Sequence, residues 1–160
     1  MTRYAVALLV LLLAPAGPQA PADFSGTWTL DAEKTMKPGP DGRIVMAPML
    51  GERVVVLQNA TSITMRISVQ GNVVVAVYDL TGAESRNVSP GDITVISRAS
   101  WKGDRLIIES TSDSVDQGKP VTIRTTRILW IDTAGDLIVE RTGTPASAVT
   151  PSRSVYRRAR

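Results

Sequence analysis

No histidine and no cysteine occur in this chain of 160 residues. Their absence excludes disulfides, thiolate nucleophiles, Cys/His zinc centres, His-ligated haem and any mechanism that runs on imidazole. Catalysis would have to come from carboxylates, hydroxyls, lysine or arginine. The formal net charge is only +3, so the total carries no nucleic-acid footprint. GxSxG, SxxK, P-loop and EF-hand patterns are all missing. Acidic residues are spread through turns rather than paired on one strand face. Asp113-Ser-Val-Asp116 offers at best a weak Ca²⁺ site, and solvated turn acids are the stronger reading. No catalytic residue, metal ligand or cofactor is therefore expected. The length allows one domain with its own core and is too short for two ordinary ones.

The first twenty-two residues read as a leader outside the fold. Arg3 gives a short positive region, and Tyr4 to Leu13 (YAVALLVLLL) is an unbroken apolar run. Ala14-Pro-Ala16 and Ala20-Pro-Ala22 are both small-x-small boxes. This is the pattern of a secretory signal peptide. The run falls short of the roughly 20 apolar residues a membrane-spanning helix needs. Cleavage is expected after Ala22, with Ala16 the other option, leaving residues 23–160 as the domain. The expected location is periplasmic or secreted, with no transmembrane segment in the mature chain.

That mature chain is rich in β-branched residues: Val, Ile and Thr number 42 against 17 for Ala and Leu. Such side chains suit a pleated surface and crowd a helix. Ile63, Met65, Ile67 and Val69 alternate with Thr64, Arg66 and Ser68, and similar runs recur near residues 93–101, 105–112 and 120–131. Period two is the half-buried strand signal. Gly71-Asn72, Ser89-Pro-Gly-Asp92, Lys102-Gly-Asp104 and Asp132-Thr-Ala-Gly135 punctuate the runs with turn chemistry. A two-residue turn at Gly103-Asp104 sets Trp101 against Leu106, Ala99 against Ile108, and Arg98 against Glu109 as a cross-strand ion pair.

Strands are expected near 24–30, 52–58, 62–70, 73–80, 84–88, 93–101, 105–112, 120–131, 137–142 and 152–159. Eight to ten sequential strands on short turns form a meander, which manages its edges best by closing. The expected fold is all-β: an antiparallel up-and-down barrel, with a two-sheet sandwich as the other option. Two stretches break the simple pattern. Val54 to Leu57 and Val73 to Val77 are apolar on both faces. Around Arg127-Ile-Leu-Trp-Ile131, the parity of Ile123 would put Arg127 inside and Trp130 outside. A bulge near Thr125-Thr126 would reverse both, and the bulge is the favoured reading because it buries the tryptophan.

The segment Asp23-Phe-Ser-Gly-Thr-Trp-Thr-Leu30 carries Gly26-x-Trp28 on a first strand. It is followed by Trp101-Lys-Gly-Asp-Arg-Leu-Ile-Ile-Glu-Ser110, the stretch Asp132 to Arg141, and Val155-Tyr-Arg-Arg158. In this order the four segments resemble secreted bacterial lipocalin-like (calycin-type) β-barrel proteins of unassigned function. The resemblance covers most of the mature chain and implies a lipocalin-like barrel of 8–10 strands, with no reaction attached. It also implies that a basic side chain of the closing strand lies over Trp28. Arg157 is the candidate, sharing a face with Val155; Arg158 takes that place if Tyr156 points inward. Gly26, Trp28 and this arginine are then structural.

A candidate cavity follows from strand parity. Its lining would be Trp28, Met65, Ile67, Ala76, Tyr78, Val95, Trp101, Ile108 and Ile123. Tyr78 is the polar handle, and Ser97 and Ser110 are small inward residues that leave space. The long connection from Asp31 to Leu50 carries Met36, Met46 and Met49, soft side chains suited to a lid over an apolar cavity or to a plug. The last eight residues hold Arg153, Arg157, Arg158 and Arg160, and the rest of the mature chain has 13 basic against 15 acidic residues. The positive excess is thus local. It is read as a solvated end or as a weak contact with an anionic surface. Asn59-Ala-Thr61 and Asn87-Val-Ser89 match the glycosylation sequon and are read as coincidence. The sequence therefore points to an exported monomer that carries a small apolar or amphipathic molecule. The alternative is a filled barrel acting through its surface on protein or lipid.

Overall fold

A computed structural model describes residues 21–35, 49–116, 118–147 and 149–159. Ten strands occupy the expected stretches: β1 (Gly26–Leu30), β2 (Arg53–Gln58), β3 (Ser62–Val69), β4 (Asn72–Asp79), β5 (Glu84–Ser89), β6 (Ile93–Lys102), β7 (Arg105–Asp116), β8 (Lys119–Ile131), β9 (Leu137–Thr144) and β10 (Ser152–Arg158). One short helical turn, α1 (Ala32–Thr35), follows β1. Every strand is antiparallel to its neighbours, in the order β4-β3-β2-β1-β10-β9-β8-β7-β6-β5. First and last strands are thus paired, and the sheet wraps into a nearly closed barrel. The seam falls in the middle of the chain, between β4 and β5.

Side chains rather than a backbone ladder stitch that seam. The Asn87 carboxamide accepts from the Val77 amide at 2.7 Å and donates to the Val77 carbonyl at 2.9 Å. Ser85 Oγ accepts from the Asp79 amide at 2.8 Å. A carboxamide offers the same donor–acceptor pair as a peptide unit, so Asn87 substitutes for a missing strand contact. Gln58 does likewise at the chain entrance, accepting from Phe24 N at 3.0 Å and donating to the Ala22 carbonyl at 2.9 Å.

Alternation explains the core. On β3, Ile63, Met65 and Ile67 are buried while Thr64 and Ser68 are half-buried and Arg66 is exposed. On β2 and β4 the valines divide by parity: Val54, Val56 and Ala76 are buried, whereas Leu57, Val73, Val75 and Val77 are exposed. The doubly apolar stretches therefore leave a strip of outward valines. The β3–β4 turn centres on Gln70-Gly71, one residue before the expected Gly71-Asn72, with φ of 48° and 80°. The β6–β7 hairpin has the expected register, Trp101 opposite Leu106, Ala99 opposite Ile108 and Arg98 opposite Glu109. The expected ion pair is replaced by another: Arg98 reaches Glu84 at 3.8 Å and donates to the Gly82 carbonyl at 3.2 Å.

β7 and β8 pair without interruption through Ser110–Thr125, Glu109–Thr126 and Ile108–Arg127. The expected bulge is absent. Arg127 therefore points inward and Trp130 outward. Trp130 is half-buried, with the Arg105 guanidinium 4.5 Å and that of Arg153 5.7 Å from its ring centre. Two cations on its face make an outside position tolerable for the indole. The same contact occupies Arg105, whose cross-strand neighbour is Lys102.

Candidate functional site: the barrel interior

One end of the interior is closed by aromatic packing. Trp28 is fully buried and its indole Nε1 donates to the Phe24 carbonyl at 2.8 Å. The Phe24 ring stacks on Trp101 at 5.7 Å, with an interplanar angle of 6°. The arginine over Trp28 is Arg158, at 4.5 Å, and Arg158 Nη1 donates to the Ser25 carbonyl at 2.8 Å. Arg157 is not the stacking residue. Tyr156 is fully buried, so its neighbour in sequence faces out, where the Arg157 Nε lies 2.6 Å from Asp31 Oδ2. Arg157 and Asp31 thus form an ion pair on the outer side of the barrel. Asp31 Oδ1 caps α1 by accepting from the Lys34 amide at 3.1 Å. Lys34 pairs with Asp136, which holds the ammonium pKa above its ordinary value. Arg153 lies 3.9 Å from Glu140. Three of the four C-terminal arginines thus have partners within the chain, and Arg160 lies outside the described residues.

Of the candidate lining, Trp28, Met65, Ile67, Ala76, Tyr78 and Ile108 gather in one buried cluster, with Trp101 packed against it. Val95 and Ile123 also face inward but stand apart, half-buried on either side of Ser112. Of the candidate lid, Met49 is half-buried against the core, and Met36 and Met46 lie outside the described residues. Most of the leader lies outside them too.

The register arranges the inward side chains of β5–β10 in rows across the strands. One row runs Trp101, Leu106, Leu129, Val139, Ser154. The next runs Ala99, Ile108, Arg127, Arg141, Ser152, and the third Ser85, Ser97, Ser110, Thr125, Gly143. The interior thus passes from an apolar row to a row of short hydroxyl side chains, with two arginines between. Ser97 and Ser110 share a hydrogen bond of 2.8 Å. Arg127 Nη2 donates to the Tyr78 hydroxyl at 2.5 Å, and its guanidinium lies 5.4 Å from that ring's centre. Arg141, directly opposite Arg127, is half-buried, and its Nε is buried without a partner. Burial, and after it the charge of Arg127, pull the Arg141 pKa below its ordinary value. Neither arginine belongs to any ion pair among the described residues.

Sequence reasoning missed this pair. The parity of Ile123 puts Arg127 inside, and the competing burial of Trp130 masks that signal. Arg141 sits two residues after the buried Val139 on the same face, a signal that was present and unused. The two sequons have structural uses instead. Asn59 Oδ1 accepts from the amides of Thr61 and Ser62 at 2.9 and 2.8 Å, and Asn87 holds the seam. Among the described residues no group of three or more acidic side chains is placed to hold a metal ion, and no helix is long and apolar enough to cross a membrane.

No known family profile matches the chain, and neither does any curated protein. Solved structures do share the fold. Apo lipid binding protein 8 of Caenorhabditis elegans is 10% identical with a TM-score of 0.57, over 85% of this chain and 95% of that one. A variant of the fluorescent protein UnaG is 21% identical with a TM-score of 0.53, over 86% and 96%. At these identities the likeness establishes the architecture alone: a ten-stranded antiparallel β-barrel among the described residues, matching the expected all-β fold.

Proposed function

We propose that this chain is an exported barrel that binds one small amphipathic molecule in its interior, as a carrier rather than an enzyme. The observation that carries the reading is the graded interior: apolar side chains in one row, guanidinium and hydroxyl groups in the next two. A packed core has no use for two inward arginines, whereas an amphipathic guest uses both halves. One protein of the same fold is itself named as lipid binding, which agrees with this. Export rests on the leader, with its Arg3, its apolar run and its two Ala-Pro-Ala boxes.

Native mass spectrometry of protein taken from the producing cells tests the carrier reading, together with displacement of an apolar dye. A bound mass or a displaceable dye is the expected result. A clean apo mass with no dye uptake would sink it. That result would favour the second reading, a surface-acting barrel, which the exposed Leu57, Val73, Val75 and Val77 support.

A further inference from the structure

We propose that Arg127 and Arg141 together form the seat of a head group with two negative charges, a phosphate monoester or a dicarboxylate, on an apolar tail. The inference rests on the carrier reading above and specifies the class of molecule carried.

The two residues are direct cross-strand partners on β8 and β9. Their inward direction is fixed by what surrounds them: Ile108 and Ala99 in the same row, and Leu129 and Val139 one row away, all essentially fully buried. Two like charges in adjacent positions repel, and burial costs each of them hydration. Chains compensate such groups with carboxylates. Here the rows on either side hold Leu106, Leu129, Val139, Ser97, Ser110 and Thr125, and no acid. Arg127 has the Tyr78 hydroxyl and ring as a partial substitute. Arg141 has no equivalent, and its Nε is a buried donor with nothing to donate to. Unfilled donors beside uncompensated charge describe an anion seat.

Charge balance decides the valence. A single negative charge would neutralise one guanidinium and leave the other buried and repelled. A doubly negative group neutralises both, and carboxylate or phosphate oxygens match the guanidinium fork. The row of Ser97, Ser110 and Thr125 beside the arginines adds short hydroxyl side chains, with Val149 packed over Gly143 at its end. The row of Trp101, Leu106, Leu129 and Val139 receives the tail.

The test is an affinity ladder on the purified protein at pH 8, with four probes whose alkyl tails differ by no more than one carbon. These are dodecanol, laurate, dodecyl phosphate and dodecylsuccinate, carrying zero, one, two and two negative charges. Affinity should rise on the order of tenfold at each added charge, the scale of one charge-assisted hydrogen bond. Whichever dianion binds tighter identifies the head group. Arg141→Met should erase the step from laurate to the dianions. It should also raise the melting temperature of the ligand-free protein, since an uncompensated buried charge is gone; a purely structural Arg141 would lower it. Arg141→Lys, which keeps the charge but loses the fork, should retain only part of the step. A flat ladder with dodecanol and laurate still bound overturns the inference and leaves the carrier reading standing. If none of the four binds, the carrier reading falls and the inference with it.

Discussion

The guanidinium of Arg158 lies 4.5 Å from the centre of the Trp28 ring, and it reaches that position by passing over Gly26. A Cβ at Gly26 would sit 2.9 Å from Arg158 Nη1, and the φ of +130° there is one that side-chain-bearing residues rarely adopt. The Gly-x-Trp pattern and the closing arginine are thus one device. Gly26→Ala should cost about 1–3 kcal/mol through backbone strain, with a further loss from displacing Arg158. Arg158→Ala should cost about 0.5–2 kcal/mol. The double variant should lose less than the sum, because the clash vanishes once Arg158 is absent. Urea unfolding of the four proteins checks this, and strict additivity would show that the two residues act separately.

Two of the tryptophans should differ sharply in what they contribute. Trp28 is fully buried at the end of the barrel, so Trp28→Ala should cost about 3–5 kcal/mol and leave little folded protein. Trp130 is half-buried on the outside between Arg105 and Arg153. Trp130→Ala should cost only about 1–2 kcal/mol, the sum of two exposed cation–π contacts. Equal losses in a denaturant titration would contradict the outward placement of Trp130.

Much of this architecture was legible because β-strand parity is a local code. Ile63, Met65 and Ile67 announce their face by alternation, and Gly103-Asp104 sets the Trp101–Leu106 register through turn chemistry. What the local code cannot supply is the decision between competing burials. Putting Trp130 inside looked cheaper than putting Arg127 there, yet two arginines from β7 and β10 cover the indole, and Tyr78 on β4 receives the guanidinium. Those partners lie 23 to 49 residues away in sequence from the residues they serve. The Arg157/Arg158 choice failed similarly, since it turned on whether Tyr156 enters the core. The seam between β4 and β5 carries no sequence mark beyond an Asn that also matched a sequon.

Tyr156 couples the core to alkaline pH. Its hydroxyl accepts from the Leu50 amide at 2.8 Å and donates to the Gly51 carbonyl at 3.2 Å, and burial pushes its pKa up to about 12. An unfolded tyrosine ionises near 10. Below that pH both states keep the proton. Between pH 10 and 12 the unfolded chain loses it first, so the stabilisation from neutral Tyr156 drains away as pH rises. Tyr156→Phe lacks this loss but leaves the Leu50 amide unpaired, costing about 1–3 kcal/mol at pH 8. The stability gap between wild type and variant should therefore narrow from pH 10 to 12. A constant gap across that range would remove Tyr156 as the alkaline-sensitive group.

Asn87 carries the seam, and its effect is measurable at a single amide. With Oδ1 accepting from Val77 N and Nδ2 donating to Val77 O, both halves of the carboxamide are required. Asn87→Asp retains an acceptor but sets a carboxylate oxygen against the Val77 carbonyl, so it should open the seam more than Asn87→Ala does. Because the bonds are exposed, water replaces part of what is lost, and Asn87→Ala should cost only about 0.5–1.5 kcal/mol. The local effect should exceed the global one. Hydrogen exchange at Val77 should quicken by on the order of tenfold or more in both variants, while the amides of buried Met65 and Ile108 keep their protection. Uniform acceleration across the barrel would mean that Asn87 supports the whole fold rather than the join between β4 and β5.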